Sequence, residues 1–180
     1  MEDHFPILRT NRLLLRQFMD ADIPDVFKAL SNPEVLKYYG VSYETLEATK
    51  DQMKFFSDLE KNRTGIWWTI CSADNKIFYG AAGINDMKKD HRKGELGFWL
   101  LKEHWRKGFM AEALPIVLKY AFDKLNLHRI EAIVENENIA SKKTIEKLGF
   151  DCEGIMKECE IKNGKFISLC MYAKLNTTNK

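Results

Sequence analysis

A chain of 180 residues with 45% hydrophobic and 30% charged residues has the composition of a folded domain, without the low hydrophobicity that keeps a chain disordered. Lys and Arg number 28 against 26 Asp and Glu, so the net charge of +2 argues against a broad basic field for nucleic acid or an anionic membrane, and any basic site has to be local. No apolar run approaches the ~20 residues of a membrane span, and Met1-Glu2-Asp3-His4-Phe5-Pro6 lacks a positive leader and a small-residue cleavage site, so the expectation is one domain in the cytoplasm.

Residues 12–18 alternate enough to predict a first strand, and Asp20-Ala21-Asp22 signals a helix start ahead of Val26, Phe27 and Leu30. Ser42 can cap a second helix in which Leu46, Met53, Phe56 and Leu59 recur near the helical period. Residues 66–73 and 76–88 are β-rich and flank Asp74-Asn75, which is turn chemistry for a hairpin. A further strand is expected over 95–101. From Gly108 to residue 125, Met110, Leu114, Val117, Ala121 and Leu125 step by four, three, four and four, the pattern of a long amphipathic helix. Pro115 falls inside it and removes one intrahelical bond, so a kink or loosening is expected there. A strand over 129–134, a short helix over 140–148 closed by Gly149, and two strands flanking Asn163-Gly164 complete the order, with 176–180 expected to fray. Cys71, Cys152, Cys159 and Cys170 have no C-x-x-C spacing, which predicts core or half-buried thiols and neither a zinc site nor a disulfide framework.

One segment carries a chemical signal. The strand Glu95-Leu96-Gly97-Phe98-Trp99-Leu100-Leu101 is followed by a polar loop and by Gly108 opening the long helix. A helix N-terminus has unpaired N–H groups and a partial positive charge, so Trp105-Arg106-Lys107-Gly108-Phe109-Met110-Ala111 is a candidate anion site. Arg106 and Lys107 add cations, while Phe109 and Met110 face the core or a ligand's apolar arm. A single glycine before a helix is a weak signal alone, because a basic loop is commonly just solvated.

The rest of the chain strengthens it. The sequence resembles the GNAT N-acetyltransferase superfamily, in its branch of RimJ and RimL ribosomal-protein N-terminal acetyltransferases. Six ordered segments carry the resemblance: Thr10-x-Arg12-Leu13-x-Leu15-Arg16; Gly80-Ala81-Ala82-Gly83; Glu95-Leu96-Gly97-Phe98-Trp99-Leu100; residues 105–113; Asn138-Ile139-Ala140-Ser141 with Lys147-Leu148-Gly149-Phe150; and Glu153-Gly154 with Asn163-Gly164. The resemblance implies a mixed α/β fold whose mostly antiparallel central sheet is splayed where acetyl-CoA enters, with helices on both faces. It implies that N–H groups of Arg106, Lys107, Gly108, Phe109, Met110 and Ala111 hold the pyrophosphate, and that the backbone of Phe98, Trp99 and Leu100 pairs with the pantetheine arm. Two positions depart from the pattern. Arg106 stands where glycine is common, and Met110 stands where the motif has a second Gly or Ala. The N–H groups remain in both cases.

Acetyl transfer to an amine needs a polarised thioester carbonyl, a proton acceptor for the amine and a proton for the leaving thiolate. The resemblance implies a strand N–H near Phe98 or Trp99 for the carbonyl. Ser141 is the candidate thiolate donor, with Asn138 orienting the pantetheine; the simpler reading is that Asn138 only caps its helix. Tyr172 is the reserve donor. For the base, Glu95 at its strand start competes with Glu158 and Glu160, which are two apart and so are expected to share a face; of that pair Glu160 is favoured. His4, His91, His104 and His128 are scattered, with no metal-site spacing. Where the branch often has an acidic residue after the Asn-Gly turn this chain has Ser168. The expected activity is therefore direct acetyl transfer in a ternary complex, first to a protein or peptide N-terminus and second to a small amine such as a polyamine or aminoglycoside. A coenzyme-binding sensor without turnover is a third reading. Branch members often pair, which implies a homodimer as a partner arrangement.

Overall fold

The computed structural model describes residues 4–177 and holds one eight-stranded sheet. In chain order the elements are β1 (Leu8–Arg9), β2 (Leu13–Arg16), α1 (Ile23–Leu30), α2 (Pro33–Leu36), α3 (Lys50–Asn62), β3 (Ile66–Ser72), β4 (Phe78–Lys88), β5 (Lys93–Leu100), α4 (Phe109–Asp123), β6 (Arg129–Glu135), α5 (Ile139–Lys147), β7 (Asp151–Lys162) and β8 (Lys165–Leu175). The strand order is β1-β2-β3-β4-β5-β6-β8-β7, and every neighbouring pair is antiparallel except β5 with β6. That is the mixed α/β sheet expected.

Helices cover both faces, because β3 is buried on both sides and its residues alternate between two cores. Trp68 and Ile70 pack with Ala113, Leu114 and Val117 of α4 and with Ile145 of α5. Trp67 and Cys71 pack on the opposite face with Val26, Leu30 and Phe56 of α1 and α3. Turn chemistry closes the hairpins: Asn75 (φ 60°) turns β3 into β4, and Asn163 (φ 50°) with Gly164 (φ 73°) turns β7 into β8.

Several expectations need correction. The helix expected from Ser42 is α3, which begins only at Lys50; residues 44–49 form bends and turns, and Leu46 is exposed because only Met53, Phe56 and Leu59 of the proposed stripe reach the core. α4 runs without a break through Pro115, which lies on the exposed side, as does Ala111, whose carbonyl loses its i+4 donor. Cys71 and Cys170 are buried, but Cys152 and Cys159 are exposed, since all of β7 but Lys162 is exposed at the sheet edge. Asn176, placed with the fraying end, is buried, and its N–H donates to the His128 carbonyl at 2.8 Å; residues 178–180 of that end lie outside the described residues. No helix among the described residues is long and apolar enough to cross a membrane, and no group of His, Cys, Asp or Glu among them is placed to hold a metal.

Candidate functional site

The parallel pair β5–β6 is registered only over Lys93, Gly94 and Glu95, opposite Arg129, Ile130 and Glu131. Beyond Glu95 the strands separate, although β5 continues to pair with β4 as far as Leu100. The hydrogen-bond phase of that ladder decides which groups face the gap. The Leu101 N–H donates to the Tyr79 carbonyl at 2.9 Å. Alternation along an antiparallel ladder then directs the N–H groups of Trp99 and Gly97 to β4, and those of Phe98 and Leu100 away from it, into the opening. The Leu100 carbonyl, on that same side, accepts from the Trp105 indole N–H at 3.0 Å. Of the two donors named from the sequence, Phe98 is thus free and Trp99 is engaged with β4.

The candidate anion turn leads from β5 into α4. Arg106 (φ 60°) and Gly108 (φ 79°) are both left-handed, so the turn keeps a conformation that favours glycine although Arg occupies one of the positions. The first helical bond runs from the Glu112 N–H to the Gly108 carbonyl at 3.2 Å, which leaves the N–H groups of Phe109, Met110 and Ala111 without an intrahelical acceptor. Arg106, Lys107 and Gly108 are exposed at the turn, while the Phe109 and Met110 side chains are buried in the core. Phe109 stacks on Tyr79 with ring centroids 4.1 Å apart. These are the features a pyrophosphate needs: unpaired donors at a helix start, with cations beside them.

A clamp behind this turn escaped the sequence reading, though its three members, Thr10, Arg12 and Glu112, lie in the quoted motifs. Glu112, in the first turn of α4, accepts from the Thr10 hydroxyl, from the Arg12 N–H at 3.1 Å and from Arg12 Nε at 2.6 Å. Arg12 Nη1 also donates to the Lys107 carbonyl at 3.4 Å, and its guanidinium lies 5.2 Å from the centre of the Phe109 ring. Burial pushes the Glu112 pKa up, but the bonds from Thr10 and Arg12 outweigh it and hold the carboxyl below its ordinary range.

On the α3 side of the sheet lies a cavity of about 310 Å³ lined by Tyr39, Tyr43, Gln52, Trp67, Asn85 and Glu95 among others. The indole of Trp67 spans Gly83 of β4 and Gly97 of β5, which are register partners; a Cβ at Gly97 would come within 2.5 Å of Trp67 Cζ2. Gly83 and Gly97 are therefore spaces for an aromatic floor, a relation that only the pairing of distant strands reveals. Glu95 is the one carboxylate lining this cavity. Its pKa is raised, chiefly by burial and then by the nearby charges of Asp86 and Glu131, against the opposing influence of Lys93.

The other sequence candidates are placed differently. Asn138 caps α5 by accepting from the Ser141 N–H at 3.1 Å, so its side-chain oxygen is engaged and its amide NH2 is what remains for a ligand. Ser141 is half-buried in the first turn of α5. Tyr172 is buried and donates to Glu146 at 2.8 Å; burial, followed by that bond and the Glu146 charge, pushes its pKa up, which makes it a poor proton source. Glu158 and Glu160 do not share a regular strand face. A bulge between Met156 and Glu160 puts Glu158 at φ 49°, with its N–H on the Ser168 hydroxyl at 3.0 Å, and both glutamates are exposed on the edge strand. His104 stands beside the anion turn, its ring edge-on to Tyr79, and burial lowers its pKa.

A sheet that parts next to a helix start with unpaired donors, with a carboxylate-bearing cavity where the strands separate, is an arrangement that suits acyl transfer from a phosphate-bearing donor. Comparison with known proteins gives the family. The model of the acetyltransferase (GNAT) domain matches residues 12–151. The N-acetyltransferase YoaA of Bacillus subtilis (strain 168), itself uncharacterized, is 38% identical over 161 residues, covering 89% of this chain and 91% of its own. Among solved structures, the ribosomal L7/L12 α-N-protein acetyltransferase RimL superposes with a TM-score of 0.86 at 20% identity, covering 96% of this chain and 95% of that one. The spermidine N-acetyltransferase of Vibrio cholerae, in complex with CoA and spermine, does so with a TM-score of 0.82 at 23% identity, covering 92% and 96%. The chain belongs to the GNAT acetyltransferase family. It is an N-acetyltransferase with acetyl-CoA as its co-substrate.

Proposed function

We propose that this enzyme acetylates the N-terminal amine of a peptide or protein, in a single domain that accepts the amine in the cavity beside Glu95. The observation that carries this reading is the solitary carboxylate in an otherwise aromatic and amide lining. One ammonium group suits one carboxylate, and Trp67, Tyr39 and Tyr43 supply π-faces for a single cation. A polyamine carries several ammonium groups along an alkyl chain and calls for a series of carboxylates, which this lining lacks. The RimL likeness agrees with a peptide acceptor.

Acetyl-CoA supplies the acetyl group as a thioester. The unpaired N–H groups of Phe109, Met110 and Ala111 hold its pyrophosphate, with the Arg106 and Lys107 side chains adding charge. The Phe98 N–H, free of β4, donates to the thioester carbonyl where negative charge develops. Glu95 removes the amine proton, directly or through a water, and its raised pKa suits a base working near neutrality. The Ser141 hydroxyl, in the first turn of α5, gives a proton to the departing sulfur, and Asn138 Nδ2 orients the pantetheine amides. Transfer is direct, in a ternary complex.

Acetylation of a small amine is the second reading, favoured by the exposed pair Glu158 and Glu160 on the β7–β8 hairpin, which can attract a polycation. An acceptor screen that reads free-thiol release across N-terminal peptides and polyamines separates the two. Turnover on peptides with an unblocked N-terminus, and none on their acetylated forms, is the expected result. Turnover on spermidine alone transfers the assignment to the second reading, and coenzyme binding without turnover on any amine makes the protein a sensor.

A further inference from the structure

A larger cavity, of about 670 Å³, lies away from the coenzyme turn, at the C-terminal end of α4. The fifteen residues of that helix put its two ends roughly 20 Å apart at about 1.5 Å per residue. We propose that this cavity is a second binding site, for an amphipathic anion: a carboxylate or phosphate carried on an apolar body. The inference stands independently of the acceptor reading above.

Volume and lining both argue for a small molecule, since ligand pockets fall at roughly 300–1,000 Å³ with an apolar lining and a few fixed polar groups. Phe5, Ile66, Met87 and Leu127 supply the apolar surface. Arg63, Lys89, Arg92 and Lys124 line the cavity against one carboxylate, Glu60, an excess of three positive charges in one place on a chain whose net charge is +2. Among the described residues none of these four takes part in an ion pair with a carboxylate. Glu60 is itself engaged, accepting from Gln17 Nε2 at 2.8 Å.

Two of the cations have a local reason to be there. Arg63 and Lys124 follow the last residues of α3 and α4, where the helix partial charge favours a cation. Lys89 and Arg92 belong to the single 3-10 turn that joins β4 to β5, too short to carry a comparable partial charge. Arg92 is held in place by neutral acceptors, its Nε on the Asn126 carbonyl at 2.9 Å and its Nη2 on Asn126 Oδ1 at 2.7 Å. Its backbone is fixed as well, at φ 47°, with its carbonyl accepting from the His128 N–H at 2.6 Å and the Arg129 N–H at 3.1 Å. The guanidinium is thus oriented and keeps its full charge, the arrangement expected of a preorganised anion donor.

The test titrates the full chain, saturated with coenzyme A to block the first site, with octyl phosphate, octanoate, octanol and inorganic phosphate by calorimetry. Saturable one-to-one binding of octyl phosphate or octanoate is expected, with octanol and inorganic phosphate each weaker by at least about tenfold because each lacks one half of the recognition. The tighter of the two anions distinguishes a phosphate from a carboxylate ligand. Substituting the exposed pair Lys89→Glu and Lys124→Glu should weaken that binding about tenfold or more. Lys157→Glu with Lys165→Glu, on the distant hairpin, should leave it unchanged, and Arg92→Gln, with its melting temperature checked, supplies the variant at the fixed cation. No saturable binding, octanol binding as tightly as octyl phosphate, or full affinity in the Lys89→Glu, Lys124→Glu protein would overturn the proposal.

Discussion

Glu95 is the last residue of β5 with a partner on β6, and that partner is another carboxylate, Glu131. Glu131 is neutralised by Arg129 at 2.8 Å and Lys93 at 3.0 Å, whereas Glu95 faces the cavity at the point where the strands part. Two like-charged groups on one rung are driven to different pKa values, Glu131 down and Glu95 up, and it is this divergence that makes Glu95 the proposed proton acceptor.

Glu95→Gln should therefore lower kcat by about 10²–10⁴-fold and leave coenzyme affinity within about twofold. The acid limb of the kcat/KM profile, expected above the ordinary carboxylate range, should vanish with it. The stability effect has the opposite sign. A raised folded-state pKa contributes stability below the unfolded value that is lost as pH rises through the folded one, so at pH 7 the ionised group is a burden and the variant should melt at the same temperature or higher. A fully active Glu95→Gln protein removes this residue from the chemistry.

Replacing the Phe98 N–H by an ester oxygen should cost about 10²–10³ in kcat, as for loss of one oxyanion donor. The sheet should be undisturbed, because that N–H faces away from β4. The same replacement at Trp99 should instead weaken the β4–β5 ladder and lower the melting temperature, so the two positions separate donor from scaffold.

Arg106→Gly should raise stability by up to about 1 kcal/mol, since a left-handed residue with a Cβ is strained, and should leave coenzyme affinity within about threefold because the backbone donors persist. Gly108→Val, at φ 79°, should do the reverse on both measures. Thermal melts and coenzyme titration check both variants.

The clamp on the turn makes a separate prediction. Glu112→Gln should destabilise the protein by about 1–2 kcal/mol at pH 7, allowing for the half-exposed Arg12, and should weaken coenzyme binding. Because the Glu112 pKa is lowered on folding, its contribution is present above the unfolded carboxylate range and is lost as pH falls through the folded value. Denaturation curves of wild type and variant should converge on acidification; a pH-independent difference would assign the effect to packing.

Gly97→Ala should raise the acceptor KM while leaving coenzyme affinity within about threefold. The added methyl meets Trp67 Cζ2 and so displaces the floor of the proposed acceptor cavity, on the face away from α4. Initial-rate kinetics with each substrate varied in turn distinguish this from a general loss of stability.

Much of the fold was legible because its signals are local. The Asp74-Asn75 and Asn163-Gly164 turns, the stepped apolar positions of α4 and the ordered motifs each declare themselves within a dozen residues, and backbone sterics or one buried face is enough to produce them. The anion turn belongs with these, since the donors of a helix start depend on chain direction and not on what surrounds them. The same locality misled at Leu46, where apolar spacing had no core to meet, and at Glu158 and Glu160, where a bulge broke the period of two on which a shared face depends.

Relations between distant segments were decided only by tertiary structure. Whether the N–H of Phe98 or of Trp99 is free depends on the phase of a ladder with Tyr79, and which glutamate lines the α3-side cavity depends on where β5 leaves β6. The clamp from Thr10 and Arg12 to Glu112 spans about a hundred residues of sequence, and the aromatic floor needs two glycines on separate strands. The sequence by itself determined most of the elements and the left-handed turn into α4, because these arise from the conformational preferences of neighbouring residues. The environment of Glu95 and the shape of the cavity beside it were left to the register of the folded sheet, because burial and charge pairing belong to groups that meet only after the strands have aligned.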